Sequence, residues 1–311
     1  MNRSLFALVL PVLAACSSTA SNDPGGAASD PVVGGKADNK DHAVVAIEIG
    51  GTGLCTGTLI GPRQVLTARH CVSETAQAVS CPSTGAQIGA DRDPTTLVIV
   101  TGADVHKSAP VARGTRIFTP PGKTLCEHDI AILELDRDVV GITPATVAGK
   151  GVLTKTTTLR AVGYGRHDDA SNAGKRLQRG GIAILAETAH EFETGEATCS
   201  GDSGGPAFDE ASGAIVGVVS RGAMPCASPT THNVFTRTDA FAALIATALG
   251  AESTGAGGTS GAGGHPGHGH AGHGAHAGHG HAGHGHRVKG CFSDANCPTG
   301  QSCHHSTHVC G

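Results

Sequence analysis

The chain has 311 residues, enough for one large domain with appendages, and a formal net charge of −4, which argues against a nucleic-acid-binding protein. Its 47 glycines, single tyrosine and lack of tryptophan leave the core to Val, Ile, Leu and Ala.

Met1 to Ser4 carries one positive charge, and Leu5 to Ala15 is an apolar run too short to span a membrane as a stable helix, so residues 1–15 read as a signal peptide. Leu13-Ala14-Ala15-Cys16 resembles a bacterial lipoprotein cleavage box, in which Cys16 would be acylated; ordinary secretion with cleavage after Ala20 is the alternative. Either route takes the chain out of the cytoplasm, to the bacterial cell envelope or beyond it, with residues 16–31 as a tether or pro-segment. From residue 32 to 250, apolar stretches at Val44 to Ile49, Leu97 to Val100, Ile130 to Leu135, Leu159 to Val162 and Ile215 to Val219 read as short strands broken by Gly and Pro turns. The pattern is that of an all-β barrel or sandwich. Thr238-Asp239 can cap a helix with Phe241, Leu244, Ile245, Ala248 and Leu249 on one face, stopped by Gly250.

Three segments carry chemistry. Thr67-Ala68-Arg69-His70-Cys71, His128-Asp129-Ile130-Ala131-Ile132-Leu133 and Gly201-Asp202-Ser203-Gly204-Gly205-Pro206 present His, Asp and Ser in that chain order. A serine hydroxyl is a weak nucleophile at neutral pH and needs an imidazole to take its proton; the imidazole needs a buried carboxylate to fix its tautomer and stabilise the imidazolium. Ser203, His70 and Asp129 can fill those roles. The glycines around Ser203 let the backbone come close to a substrate, so that the N–H groups of Gly201 and Ser203 can face a developing oxyanion.

With Val32-Val33-Gly34-Gly35 as a fourth match, these segments resemble the trypsin/chymotrypsin-like serine peptidase family over about 170 residues. The resemblance implies two antiparallel six-stranded β-barrels with a C-terminal helix. His70 and Asp129 would come from the first barrel and Ser203 from the second, with the crossing near residues 140–155. It implies hydrolysis of a protein or peptide through an acyl-enzyme, without a cofactor. It also implies that Val32, freed by cleavage, inserts its α-amine to pair with Asp202 and order the pocket. Pro31, rather than Arg or Lys, precedes the cut, so a trypsin-like activator is not expected and the activating protease is unknown. If Cys16 is acylated, the same cut would release the enzyme from the membrane. Cys55 with Cys71 and Cys199 with Cys226 match family disulfides, and Cys81 and Cys126 are expected to pair; so many matched cysteines imply an oxidising compartment. The rival reading is a catalytically silent barrel pair on a surface lipoprotein, serving as a metal-binding or adhesion module.

For the substrate pocket, the position that is aspartate in trypsin-like members is Ala197, followed by Thr198, which leaves a basic side chain without a counter-charge. Ser220-Arg221-Gly222 matches the strand that pairs with substrate backbone, and Asn233 stands where a glycine often lies at the pocket back. The expected preference is for uncharged, small to medium residues before the scissile bond. Arg221 could instead favour an acidic residue, but its head is expected in water. Arg69, beside His70, is likewise expected to point to solvent.

Beyond residue 250 the composition changes. Residues 251–289 form a linker, Gly/Ala/Ser/Thr-rich and then histidine-rich, with nine histidines at 265, 268, 270, 273, 276, 279, 281, 284 and 286. His265, His268, His270, His273, His276, His279, His281, His284 and His286 suit Zn, Cu or Ni without a fixed tetrahedral geometry, or serve as a soluble spacer. The module 290–311, with Cys291, Cys297, Cys303 and Cys310, is too small for a core of its own and is expected to be stapled by two disulfides in any of three connectivities. His304, His305 and His308 permit a zinc alternative.

Overall fold

The computed structural model describes residues 32–250, except 77–78, 80 and 83–84, together with the backbone of two short strands near the C-terminus. The signal segment, Cys16, the linker histidines, Cys291 and Cys297 lie outside the described residues. The chain divides into two compact units, residues 1–255 and 256–311.

In the first unit, β1 (Lys36–Ala37) leads into β2 (Val44–Ile49), β3 (Gly53–Leu59), β4 (Gln64–Thr67) and the single turn α1 (Arg69–Val72). A small hairpin, β5 (Ser73–Thr75) with β6 (Ile88–Asp91), precedes β7 (Leu97–Val100), β8 (Pro110–Phe118) and β9 (Ala131–Leu135). Six of these close a barrel in the order β2-β3-β4-β9-β8-β7. The chain then crosses to β10 (Thr158–Gly163), β11 (Leu177–Glu187), β12 (Glu191–Thr194), β13 (Pro206–Asp209), β14 (Ile215–Gly222) and β15 (Asn233–Arg237). These run in the order β11-β10-β13-β14-β15-β12, the β11–β12 pairing closes the second barrel, and β1 adds to the outside of β11. Among the described residues, the pairings between these strands are antiparallel. The fold is therefore the expected pair of six-stranded barrels followed by a short helix, α2 (Ala242–Ala248). In the second unit, β16 (Cys303–His304) pairs with β17 (Val309–Cys310), with Cys303 opposite Cys310.

Residue patterns explain the strands. In β11, Ile182 and Ile184 are buried while Gly181, Ala183 and Leu185 are exposed, the two-residue period of a half-buried strand. In β2, Val44 to Ile47 are all buried, because one face fills the barrel and the other is covered by neighbouring structure. The second core stacks Phe192 on Phe235 with ring centroids 5.0 Å apart, and Gly217 is needed there because a Cβ would strike the Phe192 ring at 2.5 Å. The C-terminal helix departs from expectation at both ends. The Thr238 hydroxyl does not cap it but donates to Ile215 O at 3.1 Å, a 3₁₀ turn at Asp239–Phe241 starts the element instead, and Leu249 is 41% exposed rather than buried.

The two barrels meet around Thr56 of β3. Its N–H donates to Ser203 O at 2.8 Å, its hydroxyl donates to Gly201 O at 2.8 Å and accepts from Tyr164 N–H at 3.0 Å, and its carbonyl accepts from the Thr67 hydroxyl at 2.9 Å. Gly204, with φ +82, presses against Thr56, Thr67 and Ala68 in a space no Cβ could share. Thr56→Val keeps the side-chain shape but strands the Gly201 carbonyl and the Tyr164 N–H; we expect a loss of about 2–4 kcal/mol in unfolding free energy, read from urea denaturation.

Candidate active site

His70 sits in α1, immediately after β4, and the Cys71–Cys55 disulfide fastens that turn to β3. The sulfurs of Cys81 and Cys126, and of Cys199 and Cys226, are also bonded. Asp129 precedes β9 and is wholly buried. It grips His70 at two points: Oδ1 accepts from the His70 backbone N–H at 3.0 Å, and Oδ2 lies 2.8 Å from His70 Nδ1. Ser220 of β14 donates its hydroxyl to the same Oδ2 at 2.7 Å, and the Thr236 hydroxyl of β15 donates to Asp129 O at 3.0 Å, so both come from the other barrel. Burial alone would raise the Asp129 pKa, but the adjacent imidazole and these hydrogen bonds hold it below the ordinary carboxylate range. For His70, burial pulls the pKa down, and the charge and hydrogen bond of Asp129 outweigh it, leaving a net rise. An imidazole in this setting has Nδ1–H directed to the carboxylate and Nε2 free to take a proton.

Ser203 lies in the turn before β13, held by the Thr56 contact and flanked by Gly201 (φ +103) and Gly204. A side chain on Gly201 would collide with the Gly165 backbone 2.8 Å away. Among the described residues, the N–H groups of Gly201 and Ser203 donate to no acceptor, and the Ser203 hydroxyl makes no hydrogen bond. Such donors can receive an anion, and catalytic contacts of this kind often tighten only with substrate present.

Asp202 is wholly enclosed. Its Oδ1 accepts from Gly165 N–H at 2.7 Å and Oδ2 from Cys199 N–H at 2.9 Å, and Gly163 and Gly165 lack the Cβ atoms that would invade the carboxylate. Among the described residues it has no ion pair, and burial pushes its pKa up to about 7 against the pull of the two amides. Val32, still joined to residue 31, is itself fully buried in the core that includes Ala197, and Val33 packs on Cys199 and Cys226.

Next to Ser203 opens a cavity of about 250 Å³ lined by Thr198, Ser200, Ser220, Arg221, Gly222 and Asn233, among others. Asn233 Oδ1 accepts from Ala197 N–H at 2.7 Å and Thr198 N–H at 3.0 Å, which fixes the amide across the pocket back, where it leans onto Gly222. Two expectations need correction. Arg221 does not extend into water: it makes a bidentate pair with Glu191 of β12, Nη1–Oε1 2.6 Å and Nη2–Oε2 2.7 Å, reaching across β15, which lies between β14 and β12. Arg69 does not face solvent either. The helical turn directs it inward, where Nη1 donates to the carbonyls of Pro120 and Gly122 at 2.8 and 3.1 Å. Glu191 was not evident from the sequence, since it belongs to no motif and its partner Arg221 lies 30 residues away. His128 stacks on His190 at 5.7 Å, with Nδ1 3.1 Å from Cys126 O, away from the His70 ring contacts.

Comparison with known proteins places this arrangement. Residues 32–245 match the Trypsin family. The chain is similar to the cercarial protease of Schistosoma mansoni, 29% identical over 191 residues that cover 54% of this chain and 70% of that protein. It is similar to trypsin of Saccharopolyspora erythraea, 26% identical over 68% of this chain and 94% of that one. A solved structure of Glu endopeptidase in complex with MPD superposes with TM-score 0.52 at 23% identity, covering 68% of this chain and 92% of its own, and shares the fold. With the family match extending over both barrels, this chain belongs to the trypsin family of serine proteases.

Proposed function

We propose that the protein is a secreted endopeptidase in which Ser203 attacks the scissile carbonyl, His70 takes the proton and returns it to the leaving amine, and Asp129 orients His70. Gly201 and Ser203 N–H groups hold the oxyanion, and acyl-enzyme hydrolysis repeats the cycle with water. No cofactor is needed, because nucleophile, base and oxyanion donors are all protein groups. The observation that carries this reading is the double hold of buried Asp129 on His70, which leaves Nε2 as the only ring nitrogen able to serve a hydroxyl. The filled pocket back and the absence of a carboxylate among its lining residues support a preference for uncharged, small to medium side chains before the scissile bond. Maturation by cleavage before Val32 would give Asp202 the cation it lacks, and with an acylated Cys16 it would also release the enzyme from the membrane. The linker histidines remain proposed ligands for Zn, Cu or Ni.

A fluorophosphonate probe is expected to label Ser203 in the cleaved protein and to fail with Ser203→Ala; an unlabelled, folded, cleaved protein would sink the proposal in favour of a silent scaffold. His70→Ala should lower kcat/KM by on the order of 10⁴ or more, and Ser220→Ala, which removes one donor to Asp129, by about tenfold.

The state of Asp202 predicts a pH effect. Its folded pKa, raised to about 7, exceeds the unfolded value of 3.8, so in the uncleaved chain the folded state binds the extra proton and stability falls as pH rises from about 4 to about 7. The full loss is on the order of 4 kcal/mol. In uncleaved Ser203→Ala protein, urea midpoints should drop between pH 5 and pH 8; after cleavage before Val32 the drop should shrink or vanish.

A further inference from the structure

Arg221 is the one charged residue lining the cavity beside Ser203, and its charge is already engaged. Glu191 meets it through two short hydrogen bonds, with side chains 24% and 9% exposed, so this pair is largely withdrawn from water. Glu191 is in turn fixed, since its Oε1 also accepts from the Glu127 N–H at 2.7 Å across the barrel junction. Glu127 holds a left-handed backbone, φ +64, which aims that N–H at the carboxylate. Other charged groups nearby are committed: Asp129 to His70 and Ser220, and the Glu127 carboxylate lies 3.9 Å from His190. Arg221 follows Ser220 directly in β14, on the edge that borders the cavity.

We propose that Glu191 is a specificity-determining residue: by neutralising Arg221 in a bidentate pair, it keeps the substrate cleft from selecting acidic side chains, while Arg221 keeps Glu191 from selecting basic ones. The neutral preference is thus maintained by a cancelled pair of charges rather than by a cleft without charge. Removing either partner exposes the other at a site poor in water, where a single unpaired charge discriminates strongly between ionised and neutral ligands.

This inference rests on Ser203 acting as the nucleophile, and the test separates the two. Cleaved protein, Glu191→Gln, Arg221→Gln and the double variant are each titrated with a fluorophosphonate to count active sites. Each is then assayed with peptide sets carrying Glu, Gln, Lys or norleucine at successive positions before the scissile bond. Glu191→Gln keeps the acceptor for the Glu127 N–H and should raise the Glu-to-Gln ratio of kcat/KM at least about tenfold at one position or more. Arg221→Gln should instead raise the Lys-to-norleucine ratio, and the double variant should return both ratios to within about twofold of the parent. Labelled single variants whose ratios stay within twofold of the parent would overturn the inference while leaving the nucleophile standing. Should Glu191→Gln fail to fold, the Arg221→Gln arm decides by the same criterion. Absence of labelling in the parent protein would remove the catalytic reading itself.

Discussion

The buried carboxylate of Asp129 is the constraint on which the rest of the structure depends. An ionised group with no solvent access is costly unless its lone pairs are occupied, and here the first barrel supplies two donors from His70 while the second supplies the hydroxyl of Ser220. The carboxylate is satisfied only when the barrels are docked. The same side chain thereby orients the imidazole and reports that the cleft is assembled, and Thr236 reinforces this from β15 through the adjacent carbonyl. Thr56 does the corresponding work from the opposite side, carrying the first barrel to the Gly201 and Ser203 carbonyls.

Around this junction the site is built from backbone that cannot tolerate side chains. Gly163 and Gly165 wall in Asp202, Gly201 abuts Gly165, and Gly204 abuts Thr56 and Ala68. The high glycine content of the chain therefore has a local meaning where the Ser203 turn meets β10 and the first barrel. Close approach of main chain leaves the amides of Gly201 and Ser203 unspent and the carboxylate of Asp202 shielded.

Much of this was legible in the residues. The strands at Val44–Ile49 and Leu97–Val100 were visible as apolar runs, since burial on one or both faces writes a short-range pattern. The segments around His70, Asp129 and Ser203 were visible because their chemistry needs particular neighbours. What escaped was long-range pairing of charge. Arg221 with Glu191 looked like a solvated side chain, and Arg69 like another, because a guanidinium carries no mark of whether a carboxylate or a carbonyl will meet it after folding. The Thr238 hydroxyl differs from expectation for a related reason: a local cap competes with a distant acceptor, Ile215 O, and the distant one wins.

The burial of Val32 has a kinetic consequence for the proposed maturation. Its side chain is enclosed and its carbonyl is hydrogen-bonded to Gly35 N–H while the bond to residue 31 is intact. A protease needs an extended, accessible stretch on both sides of the bond it cuts, so for the proposed cut residues 32–35 would first have to lift away from the second barrel. If cleavage does occur before Val32, its pace would be set by how often that segment peels open, and a contact that holds it down, such as the Arg179 guanidinium on Val33 O, would slow it.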